Sequence, residues 1–269
     1  MLQPREVLAA IATVLVTTAP AELQYDLRVD VPVTVGLGAW WLLSEFAFKH
    51  QLAPPRCRWC DRNALDDAGR ALRAPVERQP AASLASDVVG VIATPVLMVG
   101  LDAAFTRFGG GTWRHAAVDA LLVIEAMVAS QALNQVVKFI AGRERPLVAQ
   151  LPEDQKPLTK QPDDNNLSFF SGHTSYTFSL VAATATIVRA RGYAHWWVVP
   201  AVGLPFAVTT ALLRLAADKH YLTDVLTGAA LGVLLGVGVP VLFHRPVQVG
   251  PVTARLTAGG RGVALVGEW

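Results

Sequence analysis

The chain has 269 residues, of which 52% are hydrophobic and only 16% charged, with a mean hydropathy of +0.38. Those proportions argue against an ordinary water-soluble domain and for a membrane protein. A formal net charge of +2, without a lysine-rich tract or interleaved basic and aromatic residues, argues against a nucleic-acid partner, so any anion site must be local.

Arg5 and Glu6 precede a short apolar run at 7–18, followed by Ala19, Pro20 and Ala21. The pattern is that of a secretory signal with an A-x-A cleavage site, or of an uncleaved N-terminal anchor. Residues 1–22 are set apart on that basis. A second apolar run at 31–48 contains Trp40 and Trp41, suited to a membrane interface or to a core. From 50 to 82 the composition turns polar, with Pro54, Pro55 and six arginines. An amphipathic helical stretch is predicted there at 63–72. Both cysteines lie in this connector, as Cys57-Arg-Trp-Cys60. With no second Cys/His pair nearby to complete a zinc site, they are expected to form a small structural disulfide if exported and to be inert thiols otherwise. Residues 23–84 are read as an N-terminal apolar segment and this polar CxxC connector.

Five apolar segments follow, at 88–105, 116–140, 170–189, 196–215 and 222–243. Each approaches the roughly 20 residues that cross a bilayer. The second and third carry Asp119, Glu125, Asn134, His173 and Ser179, so they must face a bundle interior or water. Gly228, Gly232, Gly236 and Gly238 recur at roughly helical spacing, which suits close helix packing. No strand-like alternation competes. The expected fold is therefore all-α, an antiparallel, membrane-embedded bundle of about five or six core helices over residues 85–245. The proline-broken loop at 142–166 is either a lid or substrate-selecting element, or a solvated connector. The tail, 246–269, has no assignment.

Arg214-Leu-Ala-Ala-Asp-Lys-His220-Tyr-Leu-Thr-Asp224 ends one apolar segment and opens the next. If a helix starts near His220, Asp224 lies one turn along the same face and can fix the imidazole tautomer. The other ring nitrogen is then left as nucleophile or base, and Arg214 can place a guanidinium over the anion it attacks. A surface ion pair with a helix cap would explain these residues about as well. Two further stretches strengthen the case. Lys138-Phe-Ile-Ala-Gly-Arg-Glu-Arg145-Pro146 brings two cations to another helix end, and Ser171-Gly172-His173 opens an apolar run. Short connections between antiparallel neighbours put all of these points on one side of the bundle.

In this order and spacing, the three blocks resemble the type 2 phosphatidic acid phosphatase superfamily. Its signature reads K-x-x-x-x-x-x-R-P, then P-S-G-H, then S-R-x-x-x-x-x-H-x-x-x-D. Phe170 stands where the family usually has proline and Leu213 where it often has serine, and neither supplies chemistry. The resemblance spans about residues 85–243 and implies acid-phosphatase-type hydrolysis of phosphate mono- or pyrophosphate esters, lipid-linked, through a phosphohistidine. It makes His220, oriented by Asp224, the nucleophile, and His173 the proton donor to the leaving oxygen and the later activator of water. Spacing alone does not say which histidine is which. Lys138, Arg145 and Arg214 supply cations; Ser171 caps a helix, and the Ser171 and Gly172 amides point at the phosphate. No carboxylate cluster is available for a two-metal site, so no metal and no cofactor are expected.

The remaining histidines, His50, His115, His195 and His244, flank apolar segments and are read as interfacial or solvent-exposed. For Arg143, phosphate binding, pairing with Glu144 and exposure to water all stay open. The family's site usually faces away from the cytoplasm, which implies a cell inner membrane or periplasmic enzyme with its site towards the periplasm and the 31–48 run in or along the bundle. The arginine-rich connector leans the other way under the positive-inside rule, while Arg245, Arg255 and Arg261 on the opposite face agree with an outward site. The expected partners are a phosphorylated lipid or small phosphoester and the membrane. Two other readings remain. Vanadium haloperoxidases resemble this site because vanadate mimics the phosphoryl transition state, and a non-enzymatic membrane anion-binding or transport protein could line a pathway with the same charges.

Overall fold

The computed structural model describes residues 20–245 in full and, in the tail, the backbone of three strands. Helix α1, Leu27–Leu42, is capped by Asp26, whose carboxylate accepts from the Arg28 amide, and runs on through a π turn at Leu43–Ala47 to a short helix at Lys49–Leu52. The connector carries α2, Ala64–Gly69, capped by Asn63 and followed by a 3₁₀ turn at Arg70–Leu72, where an amphipathic helix is predicted. Helix α3, Gln79–Asp87, passes through a π segment, Val88–Ala93, into α4, Thr94–Phe108. The whole forms one rod, Val76–Phe108, so the boundary drawn between residues 84 and 85 falls inside a helix.

Four helices then complete the bundle: α5, Trp113–Ala141; α6, Gly172–Ala190; α7, Val198–Ala216; and α8, Leu222–Phe243. Val76–Phe108, α5, α7 and α8 are long and apolar enough to cross a membrane. Side chains such as Val96, Ile140, Leu212 and Leu234 point outward from them and are exposed, a surface that suits lipid. Helix α6, the more polar third segment, is packed on by α4, α5, α7 and α8. Its Thr177, Ser179 and Thr184 hydroxyls donate to carbonyls of their own helix, so they can be buried without cost in unpaired groups. The bundle is all-α. Strands occur in the tail, as an antiparallel meander of β1, Val247–Val249, β2, Val252–Gly259, and β3, Gly262–Glu268.

The chain order, towards the motif end in α5 and α7 and away from it in α6 and α8, makes α6 and α8 parallel. They touch along a seam of small residues. A Cβ placed on Gly228, Gly232 or Gly236 would lie 2.7, 2.6 or 2.6 Å from the carbonyl oxygens of Ser171, Ser175 and Ser179 respectively, so these three glycines set the approach. Gly238 has nothing within 4 Å and takes no part. Helix α1 runs beside α5 in the same direction. Trp40 donates from Nε1 to the Ala132 carbonyl at 3.3 Å, and Gln135 Nε2 donates to Glu45 at 2.7 Å.

At the opposite end of the bundle Arg191, fully buried, pairs with Asp119 at 2.6 Å and donates to the Ala21 carbonyl at 3.0 Å. His115 caps α5 together with Thr112. His244 departs from the reading as an exposed or interfacial histidine: it is 1% exposed, because the segment before α1 folds across the end of α8 and covers it. The run at 7–18, with its expected signal or anchor role, lies outside the described residues.

Candidate active site

Helix α5 brings Lys138, almost fully buried, to the motif end, and Gly142 closes the helix at φ +54°. One turn earlier, Asn134 donates to the Phe170 carbonyl at 2.7 Å, and Gln131 donates to Ser175 Oγ at 3.1 Å, clamping the start of α6 against α5. Gly172 fills the narrow point between them. A Cβ there would lie 2.8 Å from Asn134 Oδ1 and 3.4 Å from Lys138 Nζ.

Ser171 caps α6 through its hydroxyl, as expected, but its amide donates to the Asp224 carbonyl at 3.0 Å. The expectation that this amide points at an anion is therefore corrected. The open amides of the first turn are those of Gly172 and His173, where a helix N-terminus leaves donors and partial positive charge.

Arg145 enters from the loop after α5. Its Nε donates to the Asp164 carbonyl at 2.8 Å, and Nη2 lies 3.3 Å from the Asp164 carboxylate, which Lys49 also meets at 2.9 Å. Burial would raise the Asp164 pKa, but Arg145 and Lys49 outweigh it and hold the carboxyl far below its usual range. The far end of the 142–166 loop is thus held at Asp164 by Arg145 from its own start and by Lys49 from the segment after α1.

Arg214, at the end of α7, donates to Ser86 Oγ at 3.1 Å and lies 3.7 Å from Asp87. His173 Nε2 is 2.8 Å from the same Asp87 carboxylate, which is half exposed. Lys219 follows on the turn into α8; burial, then Arg145 and Arg214, push its pKa down to about 8.

His220 is held differently from the expectation. Its Nδ1 lies 2.8 Å from the Ser168 carbonyl, a group that can only accept, so Nδ1 carries the proton and Nε2 of the neutral ring keeps its lone pair. Asp224 stands 3.6 Å from Nδ1, too far to be the direct partner. Its carboxylate is already occupied by Ser168 Oγ at 2.6 Å, the Tyr221 amide at 2.9 Å and Arg143. Burial, then the charges of Arg145, Arg214 and Lys138, keep the His220 imidazole well below its ordinary pKa.

Residues 119–247 match the PAP2 superfamily, a stretch that includes Lys138, Arg145, Ser171, Gly172, His173, Arg214, His220 and Asp224. Over that stretch, just under half of its length, the chain is similar to the PAP2 superfamily. The match supports phosphatase activity, and the long apolar helices support a membrane protein. It is also similar to a solved structure, that of the first transmembrane PAP2 type phosphatidylglycerolphosphate phosphatase from Bacillus subtilis. The two share 23% identity over 77% of this chain and 93% of that one, with a TM-score of 0.46.

Around the PAP2 motifs lie residues whose partners the sequence does not reveal. Arg143 meets none of the three fates left open for it. It is wholly buried, paired with Asp66 and Asp224, bonded to Thr223 Oγ1 at 2.7 Å, and its guanidinium lies 4.0 Å from the Trp59 ring centroid and 4.3 Å from that of Tyr221. Asp66 also accepts from the Thr223 amide at 3.0 Å, at the start of α8. The connector is stitched to the same loop, with the Arg58 amide donating to the Gly142 carbonyl at 2.9 Å and the Glu144 amide to the Trp59 carbonyl at 3.2 Å. Cys57 and Cys60 are disulfide-bonded there, on the motif side of the bundle. Asp66, Trp59 and Asp87 lie before the PAP2 match and follow no motif spacing. The only hint at Asp87 is an acid standing at the head of an apolar run.

Proposed function

We propose that this protein hydrolyses phosphate mono- or pyrophosphate esters carried on lipids, without a metal ion, through a phosphohistidine at His220. The observation that carries the reading is the His220 tautomer: Nδ1 held by a carbonyl, Nε2 free, in a buried ring surrounded by Lys138, Arg145 and Arg214. Lys138, Arg145, Arg214 and the open amides of α6 would neutralise the phosphoryl oxygens, whose charge the transition state spreads over the equatorial positions. The Nε2 lone pair attacks phosphorus as the bond to the leaving oxygen breaks, and His173 gives that oxygen its proton. His173 then takes a proton from water, which attacks the phosphohistidine and releases inorganic phosphate and the neutral ring.

Asp87 is the charge partner that an imidazolium at His173 needs, at 2.8 Å. Asp224 acts as a positioning residue, through Ser168 and the turn before α8. Apart from the paired carboxylates of Glu45, Asp87 and Asp164, the site presents cations and imidazoles, a set that favours an anion over a metal ion. The apolar outer surface supports a lipid substrate that reaches the site from the bilayer. The disulfide on the motif side supports a site facing an oxidising compartment, which in a bacterial inner membrane is the periplasm.

The test is phosphate release by the purified protein from phosphatidic acid, phosphatidylglycerol phosphate, undecaprenyl pyrophosphate and soluble esters, with His220→Ala as control. Release from at least one lipid ester is expected, with a loss of at least ~10³-fold in the variant. Full release by His220→Ala would sink the phosphohistidine, and vanadate-dependent bromide oxidation without phosphate release would favour a haloperoxidase.

A further inference from the structure

A second cluster of ionisable side chains lies at the opposite end of the bundle, outside the PAP2 chemistry. Asp30 near the start of α1, Glu125 within α5 and His244 just after α8 are all buried, and one potential ligand atom from each lies within 4.8 Å of the others. Three elements far apart in sequence converge on one point.

The hydrogen bonding of His244 gives the cluster its direction. Nδ1 lies 3.0 Å from the Gln24 carbonyl, which can only accept, so Nδ1 carries a proton and the neutral ring presents an Nε2 lone pair. Among the described residues, neither that Nε2 nor Glu125 Oε2 has a hydrogen-bond partner, and the two face each other at 3.6 Å. Two electron-rich atoms facing each other in a dry interior need a positive charge between or beside them. Asp30 adds a further carboxylate; one oxygen accepts from the Asp26 amide at 2.8 Å, which holds the side chain in place.

We propose that Asp30, Glu125 and His244 form a structural site for a divalent transition-metal ion, with Zn²⁺ the best match. A histidine fixed by a backbone carbonyl at one nitrogen and bare at the other is the usual arrangement of a metal-ligating imidazole. Bonds of about 2.0–2.1 Å in tetrahedral geometry place ligand atoms ~3.3 Å apart, close to the 3.6 Å between His244 and Glu125, with a water completing the three side chains as fourth ligand. One imidazole and two carboxylates suit zinc or manganese better than calcium, which takes six to eight oxygens. The ion would fasten α1, which lies before the PAP2 match, to α5 and α8. The site does not depend on the phosphatase mechanism and is tested without it.

The experiment uses full-length, tag-free protein in detergent, stripped with a chelator and then dialysed against Zn²⁺. Elemental analysis should find one zinc per chain, and Zn²⁺ should raise the thermal unfolding midpoint of the stripped protein. Co²⁺ in its place should give the visible absorption of a low-coordinate site. Glu125→Gln and His244→Asn should each weaken Zn²⁺ binding by at least about 100-fold. If a variant fails to fold, the wild-type stoichiometry, midpoint shift and cobalt spectrum decide alone. Failure of the wild type to retain stoichiometric metal would overturn the site and leave a protonated His244 held by carboxylates. Zinc retained at one per chain in both variants would overturn it too, by placing the ion elsewhere.

Discussion

Two layers of charge lie one behind the other at the motif end of the bundle. In the rear layer Arg143 is enclosed by Asp66, Asp224, Trp59 and Tyr221, so every charge is answered from within the chain. In the front layer the four cations Lys138, Arg145, Arg214 and Lys219 are opposed by three carboxylates, Glu45, Asp87 and Asp164. Arg143 and Arg145 are the same residue type, two positions apart, with opposite work. What separates them is how many carboxylates answer each charge: Arg143 meets two, whereas Arg145 shares Asp164 with Lys49 and keeps positive charge to offer a ligand.

The largest effect should come from the rear layer. Arg143→Ala leaves Asp66 and Asp224 buried and uncompensated, with an expected loss of roughly 3–5 kcal/mol in stability. Thermal unfolding in detergent measures it; a stable variant with merely raised KM would move Arg143 into the front layer. Next, Arg214→Ala should lower kcat/KM by ~10²–10³-fold, as expected for a lost transition-state donor, while the unfolding midpoint shifts far less than for Arg143→Ala. A variant that unfolds instead would erase the contrast between the layers.

Gly172→Ala should cost about 10-fold in kcat/KM, because its Cβ would press on Asn134 Oδ1 and reach Lys138 Nζ, and small misplacements of positioned groups are costly. Steady-state kinetics on the best substrate check it; unchanged kinetics would show that Lys138 is free to move. The smallest effect concerns pH. Lys219 is charged below its pKa of about 8 and neutral above it, so kcat/KM for an anionic ester should fall as pH rises through that value. Lys219→Arg keeps its charge throughout and should flatten that limb. An identical limb in the variant would assign it to another group.

The front layer was largely legible in the sequence because its members occur in blocks with fixed internal spacing. Lys138 and Arg145 share a helix end, and His220 begins the turn into the next helix. The rear layer was not, because it is built from contacts between residues remote in the chain, such as Arg143 with Asp66 and Thr223 with Asp66. No periodicity records such pairs. Helical spacing did place Asp224 near His220, but it could not reveal that Ser168 would supply the nearer acceptor and take one oxygen of Asp224 for itself. His244 misled for a related reason: its position after an apolar helix implied an interface, and the segment that buries it comes from the other end of the sequence.

The small-residue seam between α6 and α8 repeats every four positions, so it would mate almost as well with one helix displaced by four residues, about 6 Å. Glycine against serine sets how near the two helices stand and leaves their relative height undetermined. The height is pinned at the top, where the Ser171 amide meets the Asp224 carbonyl and Arg143 grips the carboxylate of that same residue. Loosening that pin would let two rigid rods slide as units, carrying the two imidazoles out of step by more than the length of a phosphorus–oxygen bond without unfolding either helix.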